Sequence, residues 1–428
     1  LTEQRPDLAA AGVEVNLEAG QADGLVPLRC PTKVDPQTLA SSVIDDLRGH
    51  LPAVRISAHW GTGGTYVEAR HDWLDAHEGP QLTSPPPISD FPPLETCGQC
   101  RADPAVEETF IHEKRVRVCA DCRARYVDRY RQRALREGAV TVGAERLLLN
   151  ELGLDDQHVA QEFSTLAKLG EPGGNGNHLA TVFADGNAIG ALFERISAGE
   201  DPTAKQHASK AVSDATRVAL LAATEVVLRR EEQPLRVPVI PHVVGGDDLL
   251  VSVVADRAWA FVTAYLGRFE HELRGAAVLA PYLDHGFAPG ASAGVVFAHA
   301  TFPFRRAVEL AEELLRSAKR AHAGRTPAVA WLDVTRDGEH PPAHRAAWTV
   351  ADLRDSADAI VALRGIDPSG RAVLERLIDP NDPVLATARL REHVRRLDRA
   401  TVLEPFLGNG SGGDVSGVGG SVPRLSDA

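Results

Sequence analysis

Between residues 178 and 334 the chain alternates short β-branched runs with longer stretches of helical period. Leu179-Ala-Thr-Val-Phe-Ala184 reads as the body of a strand at 178–184, and apolar residues then recur at helical spacing across 187–230. The runs Val237-Pro-Val-Ile-Pro-His-Val-Val244 and Leu249-Leu-Val-Ser-Val-Val254 flank Gly245-Gly-Asp-Asp248. They predict a hairpin over 236–254, because glycine permits the positive φ angles of a tight turn. A helix at 256–273, a strand at 292–299, a helix at 303–322 and a strand at 327–334 complete the series. The order is βαββαβ with one added strand, a ferredoxin-like arrangement in an α+β multidomain chain.

Outside that segment the pattern is more broken. Residues 1–93 predict a small α/β domain: a helix over Pro36–His50, a strand at Ala53–Ala58, a glycine turn Trp60-Gly-Thr-Gly-Gly-Thr65 and a helix through Asp75. The glycine turn has two readings. One is a phosphate-binding loop, although the Gly-Lys-Ser/Thr ending is missing; the other is a strand-to-helix turn that needs glycine for its backbone angles. Pro80 to Pro93, with Ser84-Pro-Pro-Pro87, is a stiff linker. Residues 94–136 hold a cysteine module and a basic helix, 137–176 a helical linker domain, and 177–335 the βαββαβ domain. Residues 336–407 predict a helical C-terminal domain, and 408–428, rich in Gly, Ser and Val, a disordered tail.

At 428 residues the chain needs several cores. Its net charge of −13 argues against nucleic-acid binding over the whole surface, although a local patch is compatible with it. Such a patch is the basic, tyrosine-bearing stretch Arg123–Arg136, which reads either as an RNA-backbone contact or as a solvated helix. With no long apolar run, the expectation is no membrane partner and a cytoplasmic location. Cys97-x-x-Cys100 and Cys119-x-x-Cys122, eighteen residues apart, have the spacing of a structural Zn²⁺ site.

The chemistry concentrates in 178–334. Two adjacent aspartates at a hairpin tip repel each other unless a cation sits between them. Asp185 ends a buried strand and is followed by Gly186-Asn187. Asp185 and Asp247 are therefore expected to hold two Mg²⁺ or Mn²⁺ ions, with Asp248 as a further ligand. Gly186, Gly245 and Gly246 let backbone approach a phosphate. Asn187 reads as a ribose or base contact, or as the cap of the following helix, with capping preferred. Lys319, near the end of the 303–322 helix, either neutralises a nucleotide's β- and γ-phosphates or complements the helix dipole.

On these residues the chain resembles the large, cyclase-like subunit of type III CRISPR effector complexes and, more distantly, the GGDEF diguanylate cyclases. The matching segments are Phe183-Ala-Asp-Gly-Asn-Ala-Ile-Gly190, His242-Val-Val-Gly-Gly-Asp-Asp-Leu-Leu250, Ser292-Ala-Gly-Val-Val-Phe-Ala-His299 and the helix ending Ala318-Lys319. The resemblance implies a palm domain that makes cyclic oligoadenylates from ATP in antiviral defence. It also implies metal held by Asp185, Asp247 and Asp248, a Lys319 contact to triphosphate, and RNA and CRISPR effector subunits as partners. Residues 1–93 would then correspond to a degenerate first palm, without a carboxylate pair; a second palm comes from there or from a homodimer. No His-Asp pair of an HD nuclease is present, so DNA cleavage is not expected. A cyclic dinucleotide synthase and a non-catalytic RNA-binding scaffold are the alternatives.

Overall fold

The computed structural model describes residues 5–357 apart from 21–25, 53, 76–80, 84–94, 102, 112–113, 125–142, 161, 171–175, 200, 202, 233, 284–288 and 342–344; it also describes 360, 366, 373, 388–389 and 392. Most of the predicted basic helix, the C-terminal domain and the tail lie outside these residues. The chain forms two compact units, residues 1–143 with 196–209, and 144–195 with 210–428.

In the second unit, leaving aside residues 196–209 at the end of α1 and the start of α2, β1 (His178–Gly186) is followed by α1 (Ile189–Ser197), α2 (Ala204–Val227), β2 (Val239–Gly245), β3 (Asp248–Val254) and α3 (Ala258–Gly275). Then come β4 (Ala291–His299), α4 (Phe304–Ala321), β5 (Ala328–Asp333) and the two-residue β6 (Trp348–Thr349), which the sequence pattern does not signal. The six strands run in the order β6-β5-β4-β1-β3-β2. β4-β1-β3-β2 is the antiparallel order expected of a βαββαβ core, and β5 adds to it in parallel beside β4 through the α4 crossover. At the far edge, β2 carries Pro241 and a register break between Pro241 and Val243, both compatible with an edge strand.

Strand alternation sorts the core. Val296, Ala298, Ala330 and Leu332 point to one face, where they bury Ala307, Leu310, Ala311, Leu314 and Ala318 of α4. Those helical positions follow the i, i+3, i+4 rule of an amphipathic helix. Phe297 and Trp331 point to the opposite face and meet Trp259 of α3. Gly294 sets how close α4 lies, since a Cβ there would run into the backbone of Ala311. The predicted linker 137–176 does not stand apart. Leu166 and Ala167 of the helix Phe163–Ala167 pack on Leu179 and Val254, so residues 144–169 belong to the core of this unit.

The first unit contains three two-stranded antiparallel pairings among the described residues: Glu14–Val15 with Leu28–Arg29, Ser57–His59 with Gln81–Thr83, and Glu107–Ile111 with Lys114–Val118. The helix Pro36–His50 starts as its sequence predicts, with Pro36 in the first turn and the Asp35 carboxylate accepting from Thr38 N at 2.9 Å. The glycine turn resolves its own ambiguity. The Gly64 N–H donates to Glu68 at 2.7 Å and that of Thr62 to Asp72 at 2.8 Å. Carboxylates of the helix Tyr66–Asp75 thus occupy donors that a phosphate would need, and the turn reads as a strand-to-helix connection.

Candidate active site and cysteine cluster

The strand pairing brings the three aspartates together. Ala184 is paired with Leu249, so continuing the register by one residue sets Asp185 opposite Asp248. The β2–β3 turn is the two-residue loop Gly246-Asp247, closed by the Gly245–Asp248 pair. Gly246 has φ 56°, the glycine-favoured angle required at the first position of a type II′ turn. Asp247 then folds back onto β1. A Cβ at Gly186 would lie 2.7 Å from Asp247 Oδ2 and 2.9 Å from its Cβ, so only glycine leaves Asp247 its place.

Burial first, and then the adjacent Asp185 carboxylate, push the Asp247 carboxyl up to about 7; Asp248 adds to the same effect. Close carboxylates in a site shielded from water require a proton or a cation. One cation is built in, since Lys319 Nζ lies 2.5 Å from Asp185 Oδ2 and donates to Gly186 O at 2.8 Å. The last turn of α4 therefore crosses to the end of β1, with its lysine about three-quarters buried.

Asn187 takes a different position from the preferred cap. Its side chain is fully buried, and its Oδ1 accepts from Ser292 Oγ of β4 at 3.0 Å, because the chain turns inward to let Asn187 N donate to Gly290 O. Its Nδ2 has no partner among the described residues. Next to it, Ala188 adopts φ 55°, a left-handed conformation that costs a non-glycine residue about 1–2 kcal/mol. Such strain is found where a turn is held for a purpose. Nothing in the sequence signals it, nor the buried Thr216 and Tyr265, which look like ordinary helix positions. Thr216 of α2 donates to Gly246 O at 2.7 Å, and Tyr265 of α3 lies beside Thr216 and the carboxylates.

Residues 178–327 match the family model described as the second palm domain of Cas10/Cmr2. This segment is similar to a Cas10/Cmr2-type palm. Among solved structures, the chain is similar to Csm1 from T. onnurineus, with 17% identity over 58% of this chain and 34% of that one and a TM-score of 0.36. It is also similar to a Csm1–Csm4 cassette in complex with cA4, with 16% identity over 56% and 32% and a TM-score of 0.36. A Csm1–Csm4 cassette in complex with one ATP gives 18% identity over 58% and 33%, with a TM-score of 0.34. The match thus takes in about a third of each of those chains. No curated protein matches this chain. No helix among the described residues is long and apolar enough to cross a membrane.

The first unit holds the second cluster. The sulfurs of Cys97, Cys100, Cys119 and Cys122 all lie within 4.8 Å of one another, an arrangement that can hold one metal ion. Each Cys-x-x-Cys forms a knuckle in which the second cysteine's N–H donates to the first one's Sγ, at 3.5 Å for Cys97 and 3.3 Å for Cys119. Burial opposes ionisation of Cys97, yet the backbone amides of Cys100, Cys119 and Gln99 pull its thiol down to about 6. Burial and the neighbouring thiols push Cys122 strongly up. A cation is what lets all four become thiolates together.

Proposed function

We propose that the palm is a metal-dependent nucleotidyltransferase that joins ATP into cyclic oligoadenylates, in antiviral signalling of the type III CRISPR kind. The observation that carries this reading is the convergence of Asp185, Asp247 and Asp248 at the end of β1 and the β2–β3 turn. The match of this segment to the Cas10/Cmr2 palm family supports it. ATP as substrate and a cyclic product follow from the resemblance of the Asp185 and Gly-Gly-Asp-Asp segments to that family.

The donor set fits Mg²⁺ or Mn²⁺, because hard carboxylate oxygens suit hard cations. When bound at Asp185, Asp247 and Asp248, such ions lower the pKa of an attacking 3′-hydroxyl and offset charge on the α-phosphate and the leaving pyrophosphate. Lys319 holds Asp185 in place and carries a positive charge to the edge of the cluster, where a triphosphate tail needs one. Gly186, Gly245 and Gly246 present backbone without side chains on that side. Asn187, bonded to Ser292, holds the turn after Asp185 from within. Each 3′–5′ bond joins two nucleotides, so a second palm is required, from residues 1–93 or from another copy of the chain. Cys97, Cys100, Cys119 and Cys122 fit a structural Zn²⁺, since four thiolates close a tetrahedron and leave no position open.

The test is incubation of the protein with ATP or GTP and Mg²⁺ or Mn²⁺, with and without RNA, beside the Asp247→Ala/Asp248→Ala variant. Products are identified by mass spectrometry. Cyclic adenylates from the native protein alone are expected. Cyclic dinucleotides from GTP would replace the ATP reading, and absence of any product under every condition would sink the enzyme.

A further inference from the structure

The carboxylates rest on a polar support that reaches them from below. Thr216 is fully buried in α2, and its hydroxyl has two carbonyls in range, Gly246 O at 2.7 Å and Val212 O, one helical turn back, at 3.2 Å. A threonine has one proton, and the shorter contact is the one to Gly246. Gly246 O belongs to the central peptide of the turn, the peptide that Asp247 follows. The orientation of that peptide distinguishes a type II′ turn from its I′ counterpart, so it sets the direction of the Asp247 side chain. Behind Thr216, the Tyr265 hydroxyl is also fully buried, with no hydrogen-bond partner among the described residues. A buried hydroxyl kept unpaired is costly, and a phenylalanine would fill the same space without that cost. The Tyr265 ring is fixed by stacking against Phe261 and Phe269, with centroids 6.3 Å and 6.1 Å away.

We propose that Thr216 and Tyr265 are positioning residues for the carboxylate cluster: Thr216 locks the Gly246–Asp247 peptide so that Asp247 faces Asp185, and Tyr265, whose hydroxyl lies beside Thr216 outside hydrogen-bond geometry, is placed to close on the Thr216 oxygen as a donor and so keep the threonine proton on Gly246. Neither side chain touches substrate. Both act through the turn, and their value depends on the metal-binding reading of the cluster given above.

Two readouts separate this proposal from that reading. The first needs no metal: amide hydrogen exchange over residues 245–248, followed by mass spectrometry on the full chain. Thr216→Val is expected to speed exchange there at least about tenfold, the scale of losing one buried anchor, while Thr216→Ser restores the native rate. Tyr265→Phe is expected to give a smaller increase of about threefold with no loss of thermal midpoint. The second is Mn²⁺ binding by calorimetry, where Thr216→Val is expected to weaken affinity about 10–100-fold, the range seen when groups behind metal ligands are removed. Native exchange rates in both Thr216→Val and Tyr265→Phe overturn the proposal, and so does native Mn²⁺ affinity in Thr216→Val. Should Thr216→Val fail to fold, the isosteric Tyr265→Phe decides on the same two readouts. Faster exchange in a protein whose native form binds no Mn²⁺ would uphold the positioning role and sink the metal-binding reading instead.

Discussion

The cysteine and carboxylate clusters solve the same electrostatic problem in opposite ways. At Cys97, Cys100, Cys119 and Cys122 four similar ligands face one point, and three of the four are buried. At Asp185, Asp247 and Asp248 the carboxylates come from a strand end and a turn, and a lysine already answers part of the charge. The first arrangement is closed: four sulfurs converge on one point, and an ion held there would serve the fold. The second is partly exposed, and like charges are held there at a cost that a cation would relieve. Closure suits a structural role and retained repulsion suits a chemical one.

The contrast breaks most visibly at the cysteines. Cys97→Ser with Cys100→Ser should release Zn²⁺ and unfold residues 95–123, since structural zinc contributes about 10–16 kcal/mol of apparent binding energy to such modules. Metal analysis of the purified protein and limited proteolysis check this, and native protein without zinc would remove the premise. Asp247→Ala should behave in the other way, with turnover reduced at least about 10³-fold and the thermal midpoint unchanged or raised. Retention of full activity would show that the turn carries no ligand.

Gly294→Ala sharpens the comparison by leaving every ligand in place while lifting α4 from the sheet. A loss of about 2–3 kcal/mol is expected by chemical denaturation, the upper range for overpacking against backbone. The smallest effect has the opposite sign. Asp247 has its carboxyl raised from 3.8 to about 7 in the folded chain, so its ionisation disfavours the native state as pH rises through that window. Metal-free Asp247→Asn should therefore be more stable than the native protein at pH 8, by about 2 kcal/mol after allowance for partial exposure, and equal to it near pH 4. Denaturation at the two pH values measures this, and lower stability at pH 8 would contradict the cost of a charged Asp247 buried beside Asp185.

How much of this was legible in the sequence follows from the range of each signal. The β-branched apolar runs and the stretches of helical period between 178 and 334 foretold β1 to β5 and their helices, because both faces of this sheet are covered and its strands are apolar almost throughout. Gly245-Gly-Asp-Asp248 and the two Cys-x-x-Cys pairs were legible because a turn and a knuckle are local. The helices predicted across 187–230 are α1 and α2, although the apolar spacing did not mark where one ends and the next begins. Thr216, Tyr265 and the Asn187–Ser292 bond were invisible, since each gains its meaning from an element far away in the chain. The glycine turn at 60–65 remained ambiguous until Glu68 and Asp72 were seen to occupy its amides.

Gly294 also makes α4 a lever. Its fulcrum is the tight contact at Ala311, and its working end is Lys319, eight residues further along, about 12 Å of helix. A tilt of about 10° at the fulcrum swings that end by about 2 Å, enough to part a hydrogen bond of ordinary length. The ammonium's hold on Asp185 is therefore set as much by a missing methyl group in the sheet as by the lysine itself.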